Sequence, residues 1–213
     1  MMTHSNNLFE TALGNALRAE NLSKIQQVRI GIAGAGGLGS NCAVNLVRSG
    51  FVNFVIVDFD KIEFSNLNRQ FYFYNQVGKP KVEALRDNLL AINPDLQLKM
   101  IQQRIEESNV KNLFETCHVI IEAFDLSIYK RMIVEQYIQS DKFIVAASGI
   151  AGWANSDDIR THKIKENFYV VGDLSSEVGP DLPPCAPRVS IAAAKQANLI
   201  LQHVLANPLV PNL

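Results

Sequence analysis

Between positions 31 and 39 the chain reads Gly31-Ile32-Ala33-Gly34-Ala35-Gly36-Gly37-Leu38-Gly39. Few folds accommodate that string. It ends an apolar run at 28–33 and opens a stretch of helical pattern at 37–49, so it predicts a strand, a tight turn and a helix in succession. Glycines at 34, 36 and 39 suit a turn that lays phosphate groups on a helix N-terminus. Gly34 permits the turn, Gly36 lets backbone approach a phosphate, and Gly39 lets helix pack on strand. Gly37 belongs to the same phosphate-facing loop. The next apolar run, Phe54-Val55-Ile56-Val57, ends on Asp58, about twenty residues past the glycines, where a ribose hydroxyl is held in nucleotide-binding βαβ units. These features alone specify a nucleotide and fit NAD as well as ATP.

The rest of the chain decides the architecture. Apolar runs alternate with helical patterns at 79–93, 108–116 and 127–139, separated by strand-like segments at 96–101, Val119–Glu122 and Phe143–Ala147. Pro80 falls in the first turn of the 79–93 helix and Pro94 ends it. Charged residues make up 19% of the 213, below the usual quarter, as expected when a parallel sheet is buried on both faces. The predicted fold class is therefore α/β and Rossmann-like, a mostly parallel sheet with helices on both faces. After Gly149 the pattern changes. Two strands at 159–164 and 168–171 predict a short antiparallel C-terminal extension. A Gly-, Pro- and acid-rich loop follows at 172–187, then a last helix from Ala186 to Ala206. Ahead of the first strand, 8–20 reads as one amphipathic helix. The domain reading is an N-terminal helical segment over 1–27 and a nucleotide-binding domain over 28–213.

Composition excludes several classes. Net charge is −1, so no general attraction to nucleic acid or an anionic membrane is expected. No apolar run reaches the roughly 18 residues of a spanning helix. The first seven residues are polar and lack a signal-peptide core, so a cytoplasmic location is expected. The three cysteines, Cys42, Cys117 and Cys185, form no Cys-x-x-Cys pair, and no zinc is expected.

Two further clusters carry chemistry. One is Asp58-Phe59-Asp60-Lys61-Ile62-Glu63-Phe64-Ser65-Asn66-Leu67-Asn68-Arg69-Gln70-Phe71; the other is Val77-Gly78-Lys79-Pro80-Lys81-Val82-Glu83. With the glycine string, Asp125 and Ala186-Pro187-Arg188, they occur in the order of the ATP-dependent enzymes that adenylate the C-terminal glycine of ubiquitin-like proteins. Over about 28–203 the chain resembles that superfamily, and its Gly-Ala-Gly-Gly-Leu-Gly-Ser-Asn form most resembles the compact ThiF-type activators of thiamine synthesis.

The resemblance implies ATP and Mg²⁺ as cofactors. It implies a small ubiquitin-like sulfur carrier ending in Gly-Gly as partner, and a homodimer. It places Asn66, Arg69 and Gln70 along the phosphates, brings Lys81 to them from its helix, and gives Asp125 the metal. Arg69, Lys81 and Asp125 would then carry the catalysis. Adenylation suits that set: the attacking carboxylate is already ionised at neutral pH, so positioning and charge neutralisation suffice. An activator for molybdopterin or another sulfur pathway, and a tRNA-modifying relative, are the neighbouring alternatives; an NAD-dependent oxidoreductase is the one from another class.

The pattern also departs from the family. The zinc-binding cysteine pairs are missing. The loop at 172–184 has no cysteine, and Cys185 stands at its end, expected to be dispensable for adenylation. Asp125-Leu126 replaces the common Asp-Asn. Arg18 is the one candidate for the arginine that relatives donate to a neighbouring subunit. The loop at 172–184 is expected to close over the substrate tail. Cys42 is expected to be buried, Trp153 to pack or anchor a loop, and Phe71–Tyr74 to form core or cleft wall.

Overall fold

The computed structural model describes residues 7–125 and 127–206. Its frame is one seven-stranded sheet in the order β3-β2-β1-β4-β5-β7-β6. The strands are β1 (Arg29–Ala33), β2 (Asn53–Val57), β3 (Gln97–Ile101), β4 (Val119–Glu122), β5 (Phe143–Ala147), β6 (Arg160–Lys165) and β7 (Phe168–Gly172). Every neighbouring pair is parallel except β6 with β7. The α/β class with a short antiparallel end is thus the observed one. The strands β1, β2, β4 and β5 are buried almost throughout, which is why they read as continuous apolar runs rather than alternating ones.

Helices cover both faces. On one lie α2 (Ala19–Gln26), α3 (Gly37–Arg48), α4 (Lys81–Leu90) and α7 (Ala186–Ala206); their apolar residues join Ile30, Ile32, Phe54 and Ile56 in one core. On the other lie the one-turn α5 (Val110–Leu113) and α6 (Ser127–Tyr137), packed with Ala33, Val55, Val57 and Ile120. The alternation of strand side chains between faces sets this division.

Four expectations need correction. The segment 8–20 is not one helix: α1 (Leu8–Leu17) and α2 meet at Arg18, whose φ of 70° breaks the helical path. The apolar spacing runs through Arg18 without Gly or Pro, so the break left no mark in the pattern. The helix expected at 79–93 begins at Lys81, with Pro80 at its N-cap, because Lys61 and Pro80 form an antiparallel bridge that keeps the chain extended. The helix expected at 108–116 shrinks to one turn; Asn109 caps the preceding loop by accepting the Glu106 N–H and donating to Arg104 O. Trp153 is 69% exposed and so is no core residue. Backbone contacts hold its turn instead: Gly152 N–H donates to Pro183 O, while Arg188 donates to the carbonyls of Ala154 and Asn155.

Strand β1 delivers the glycine string to the carboxyl ends of the parallel strands, the edge where open α/β sheets place ligands. Asp58, Ala123 and Ser148 leave β2, β4 and β5 at that same edge.

Candidate functional site

The glycine turn has its shape for steric reasons. Gly34 has φ 102°, and a Cβ there would press on Ala123 O at 3.0 Å. At Gly39 a Cβ would overlap Gly34 O outright. Helix α3 therefore sits against its own turn more closely than any side chain allows. Gly36 is the N-cap of α3 and supplies no side-chain cap. The first N–H groups of the helix face outward with the positive end of its dipole, which suits a phosphate. Gly37 opens the helix with Arg69 and Val189 beside it: a Cβ there would lie 3.5 Å from Arg69 Cγ and 3.0 Å from Val189 Cγ1.

Asp58 is bound into this turn. Its Oδ2 accepts the Ala35 N–H at 2.6 Å and its Oδ1 accepts the Asp60 N–H at 2.8 Å. A carboxylate has about four acceptor sites, so both oxygens retain capacity for ribose hydroxyls. Burial pushes the Asp58 carboxyl above its ordinary value; the Lys81 charge and the two N–H groups pull the other way. Tyr72, buried, donates its hydroxyl to Ala35 O at 2.7 Å and fixes the turn from behind. The aromatic run thus divides: Tyr72 is core, while Phe73 and Tyr74 stand exposed.

The segment 65–71 is fastened to α3 by the two residues that follow the glycines. Ser40 donates to Gly36 O at 2.6 Å and accepts the Phe71 N–H at 3.0 Å. Asn41 donates to Arg69 O at 2.8 Å. Within the segment, Asn66 caps a 3-10 turn by accepting the Glu63 N–H at 3.1 Å. Arg69 folds back on its own loop, its Nη1 donating to Ser65 O and Asn68 Oδ1. Gln70 lies against Gly36 and is buried, and its Oε1 has no hydrogen-bond partner among the described residues. A buried acceptor without a partner carries a desolvation penalty of about 1–3 kcal/mol. That acceptor at the lip of a phosphate-type turn is what a bound nucleotide or its water shell would satisfy.

Lys81 opens α4 and is buried, its Nζ 2.8 Å from Asp60 Oδ2. Asp60 also accepts the Lys81 N–H on its backbone oxygen at 2.9 Å. The lysine is therefore held close to Asp58, in range of that carboxylate's charge. Asp125 follows β4 on a loop that touches Gly34 through Ala123 and Phe124. It is exposed and enters no hydrogen bond or ion pair among the described residues. Among those residues no group of three or more His, Cys, Asp or Glu lies together. One free carboxylate next to a phosphate-type turn still fits Mg²⁺, which is usually held by one or two carboxylates together with substrate phosphates. The structure brings Gly34, Gly36, Gly37, Gly39, Asp58, Arg69, Gln70 and Lys81 around one turn, with the Asp125 loop against it. Asn66 shapes the loop that carries Arg69. Arg18 is exposed at the α1–α2 break, and the residue after Asp125, Leu126, lies outside the described residues.

Sequence reasoning missed three participants. Asp60 is the partner that fixes Lys81. Glu122, fully buried at the end of β4, accepts both the Phe124 N–H at 2.7 Å and Lys130 Nζ at 3.1 Å; Lys130 also donates to Ala147 O at 3.0 Å. This bridge ties β4, β5 and α6 together beneath the Asp125 loop. Burial pushes the Glu122 carboxyl up and the Lys130 charge opposes it. An acid ending the apolar run Val119-Ile120-Ile121 was the available signal. The third is the Asp173–Arg188 ion pair, both side chains nearly inaccessible. Asp173 additionally accepts the N–H groups of Ser175 and Ser176. Arg188, from the first turn of α7, thereby joins the 154–155 and 173–176 loops. The remaining loop is pinned at its far end by the bridge of Gly152 with Pro184. Trp153, Cys185, Pro187 and Arg188 line a cavity of about 260 Å³ beside it. Cys185 is half-buried and Cys42 fully buried.

The model of the ThiF family matches residues 10–168. Among relatives, the tRNA threonylcarbamoyladenosine dehydratase of Bacillus subtilis is 28% identical over 70% of this chain and 58% of its own length. The probable adenylyltransferase/sulfurtransferase MoeZ of Mycobacterium tuberculosis is 33% identical over 51% of this chain and 28% of its own. The ubiquitin-like modifier-activating enzyme 5 of Caenorhabditis elegans is 43% identical over 36% and 18%. The chain thus spans less than two thirds of the length of these relatives. Among solved structures, the E. coli tRNA N6-threonylcarbamoyladenosine dehydratase superposes with a TM-score of 0.86 at 17% identity, over 97% of this chain and 98% of that one. E. coli MccB with ATP gives 0.71 at 21% identity, over 94% and 64%. At these identities the superpositions establish the fold.

Proposed function

Because the chain belongs to the ThiF family, we propose that it uses Mg·ATP to adenylate a carboxylate, and that the site around the glycine turn performs this step. The observation that carries the reading is the turn itself: a helix N-terminus without a side-chain cap, Asp58 bound to it, and the unpartnered Oε1 of Gln70 at its lip. ATP is favoured over NAD because the turn is flanked by a cation held on each side, Arg69 and Lys81. Such charges stabilise departing pyrophosphate, a step that hydride transfer lacks. Asp58 anchors the ribose. Arg69 and Lys81 balance phosphate charge, the neutral amide of Gln70 lines the phosphates and takes its hydrogen bonds from the nucleotide or its water shell, and Asp125 carries Mg²⁺, which supplies Lewis-acid stabilisation when bound.

The proposed substrate is the C-terminal carboxylate of a small ubiquitin-like sulfur carrier ending in Gly-Gly. The family pattern in the sequence favours the thiazole branch of thiamine synthesis. Of the loop at 172–184, the part between the Asp173–Arg188 pair and Pro184 is free to close over the tail and exclude water from the adenylate. A second reading has one observation in its favour: the tRNA dehydratase of Bacillus subtilis matches 70% of the chain. In that reading the adenylated group is a carbonyl on modified tRNA.

ATP–pyrophosphate exchange decides between them. Exchange that depends on a Gly-Gly-tailed carrier, and is unaffected by threonylcarbamoylated tRNA, supports the carrier reading. Exchange stimulated only by the tRNA overturns it.

A further inference from the structure

The opposite end of the strands carries a second feature unrelated to the glycine turn. On the face turned toward α5, β1 presents Arg29, Gly31 and Ala33; β2 presents Asn53, Val55 and Val57; and β3 presents Gln97, Lys99 and Ile101. A full-length helix would cover this corner, but α5 has only four residues. Phe114 just after it lies against Gly31. What remains is a trough of about 450 Å³ floored by the sheet and lined by Arg29, Asn53, Val55, Gln97, Lys99 and Thr116. That volume is in the range of small-ligand sites.

The trough is positive and has no counter-charge. No acidic residue lines it, in a chain whose acids and bases nearly balance overall. Neither Arg29 nor Lys99 has an ion-pair partner among the described residues. The guanidinium is nevertheless oriented: Arg29 Nε donates to Asn53 Oδ1 at 3.1 Å, which leaves its two Nη groups as a fork. The Arg29 backbone N–H donates to His118 Nδ1 at 2.9 Å, so the residue is anchored at both ends. Beyond the lining, Lys142 adds a positive charge and Asp141 a negative one, both acting on His118. The three charges that act on the neighbouring buried thiol of Cys117 are those of Lys142, Arg29 and Lys99. Lysine on an edge strand such as β3 also deters edge pairing. That role does not call for an oriented arginine two strands away, nor for the absence of acids.

We infer that this trough is a binding site for a small ligand bearing a phosphate dianion. A phosphate monoester carries nearly two negative charges at neutral pH, which matches the two unpaired cations. The arginine fork suits phosphate oxygens in a bidentate arrangement, and Lys99 adds a point charge. Gln97 and Thr116 supply further donors at the rim. The site lies about 13 Å along the strands from the glycine turn, at 3.3 Å per residue. It is therefore separate from the proposed ATP site and does not depend on that reading.

The test titrates inorganic phosphate and, in parallel, glycerol 3-phosphate into the full chain, with a non-hydrolysable ATP analogue present to occupy the glycine turn. Binding is read in every variant by isothermal titration, and in the variants that keep Arg29 also by NMR of its side-chain Nε–H resonance. Saturable binding that moves this resonance is expected, weaker by about fivefold in Lys99→Gln and lost in Arg29→Gln/Lys99→Gln. Lys99→Glu, which fills the trough with an acid, should also abolish it while leaving the melting temperature near the parent's. Tighter binding of the ester identifies an organic phosphate; equal or tighter binding of inorganic phosphate identifies the free ion. Failure of the analogue to bind would count against the ATP reading alone. Absence of saturable binding, binding unchanged in the double variant, or stronger binding of a single-stranded oligonucleotide than of either phosphate would overturn the inference.

Discussion

The two ends of the proposed reaction site are built by different means. At the nucleotide end, shape comes from missing side chains: Gly34 and Gly39 let α3 close on β1, and Asp58, Tyr72 and Ser40 lock the turn through hydrogen bonds to its backbone. At the substrate end, between β5 and α7, shape comes from a few enclosed charges. Arg188 gathers two loop carbonyls and one carboxylate, and Lys130 joins the ends of β4 and β5 through Glu122. The first device is local, rigid and intolerant of added atoms. The second is long-range and intolerant of lost charge. A nucleotide is the same molecule in every turnover, so a fixed mould serves it. On the proposed reading a protein tail must enter and leave, and a loop clamped near its ends would permit that.

Adding atoms to the first device should have the largest effect. Gly39→Ala places a methyl group into Gly34 O, and neither backbone segment can yield without opening the turn. ATP binding should be abolished and the melting temperature lowered, as read by calorimetry. Near-parent ATP affinity in this variant would break the comparison at its root.

Removing charge from the second device should come next. Arg188→Met leaves Asp173 without its cationic partner in a nearly inaccessible site. Breaking such a pair costs about 3 kcal/mol, measurable by urea unfolding. Burial alone would push the Asp173 carboxyl up; the Ser176 and Ser175 N–H groups and hydroxyls outweigh it and hold the carboxyl at about 2, below the ordinary 3.8. Its contribution to stability is therefore complete above pH ~4 and lost as pH falls toward about 2. The parent should show that acid loss. ATP affinity of Arg188→Met should stay close to the parent's, since the turn is built separately; a large loss would merge the two regions into one.

A smaller effect is expected where the devices meet the chemistry. Lys81→Ala and Asp125→Ala should each lower carrier-dependent exchange by about 10², as when one preorganised charge-stabilising group is removed. A normal rate in either variant would remove that residue from the assignment. Cys185→Ser should leave exchange unchanged, because a carboxylate attacks phosphorus without help from a thiol. Loss of exchange with the fold intact would assign the thiol a part in adenylation.

The first device was legible in the sequence and the second largely was not. Glycine spacing, an acid ending β2, and the Asp58–Gln70 and Gly78–Glu83 strings are contiguous, so their meaning survives reading along the chain. The bounds of β4, β5 and α7 came through as expected, since buried parallel strands are unbroken apolar runs and a 21-residue amphipathic helix between prolines is hard to misread. The family that those motifs suggested is the one the chain belongs to. Arg188 with Asp173, Glu122 with Lys130, and Lys81 with Asp60 pair across 8 to 21 positions with no local periodicity, and only folding reveals them. The break at Arg18 left no mark in the pattern, and the exposed turn of Trp153 is held from a distance by Pro183 O and the Arg188 side chain.

The central claim is that the glycine turn is an ATP site, and isothermal titration of the full chain with ATP and with NAD, each with Mg²⁺ present, tests it most directly. Saturable ATP binding is expected, strongly weakened by Asp58→Ala with the fold preserved, and no comparable binding of NAD. Binding of NAD in preference to ATP, or ATP affinity unchanged in Asp58→Ala, would contradict it.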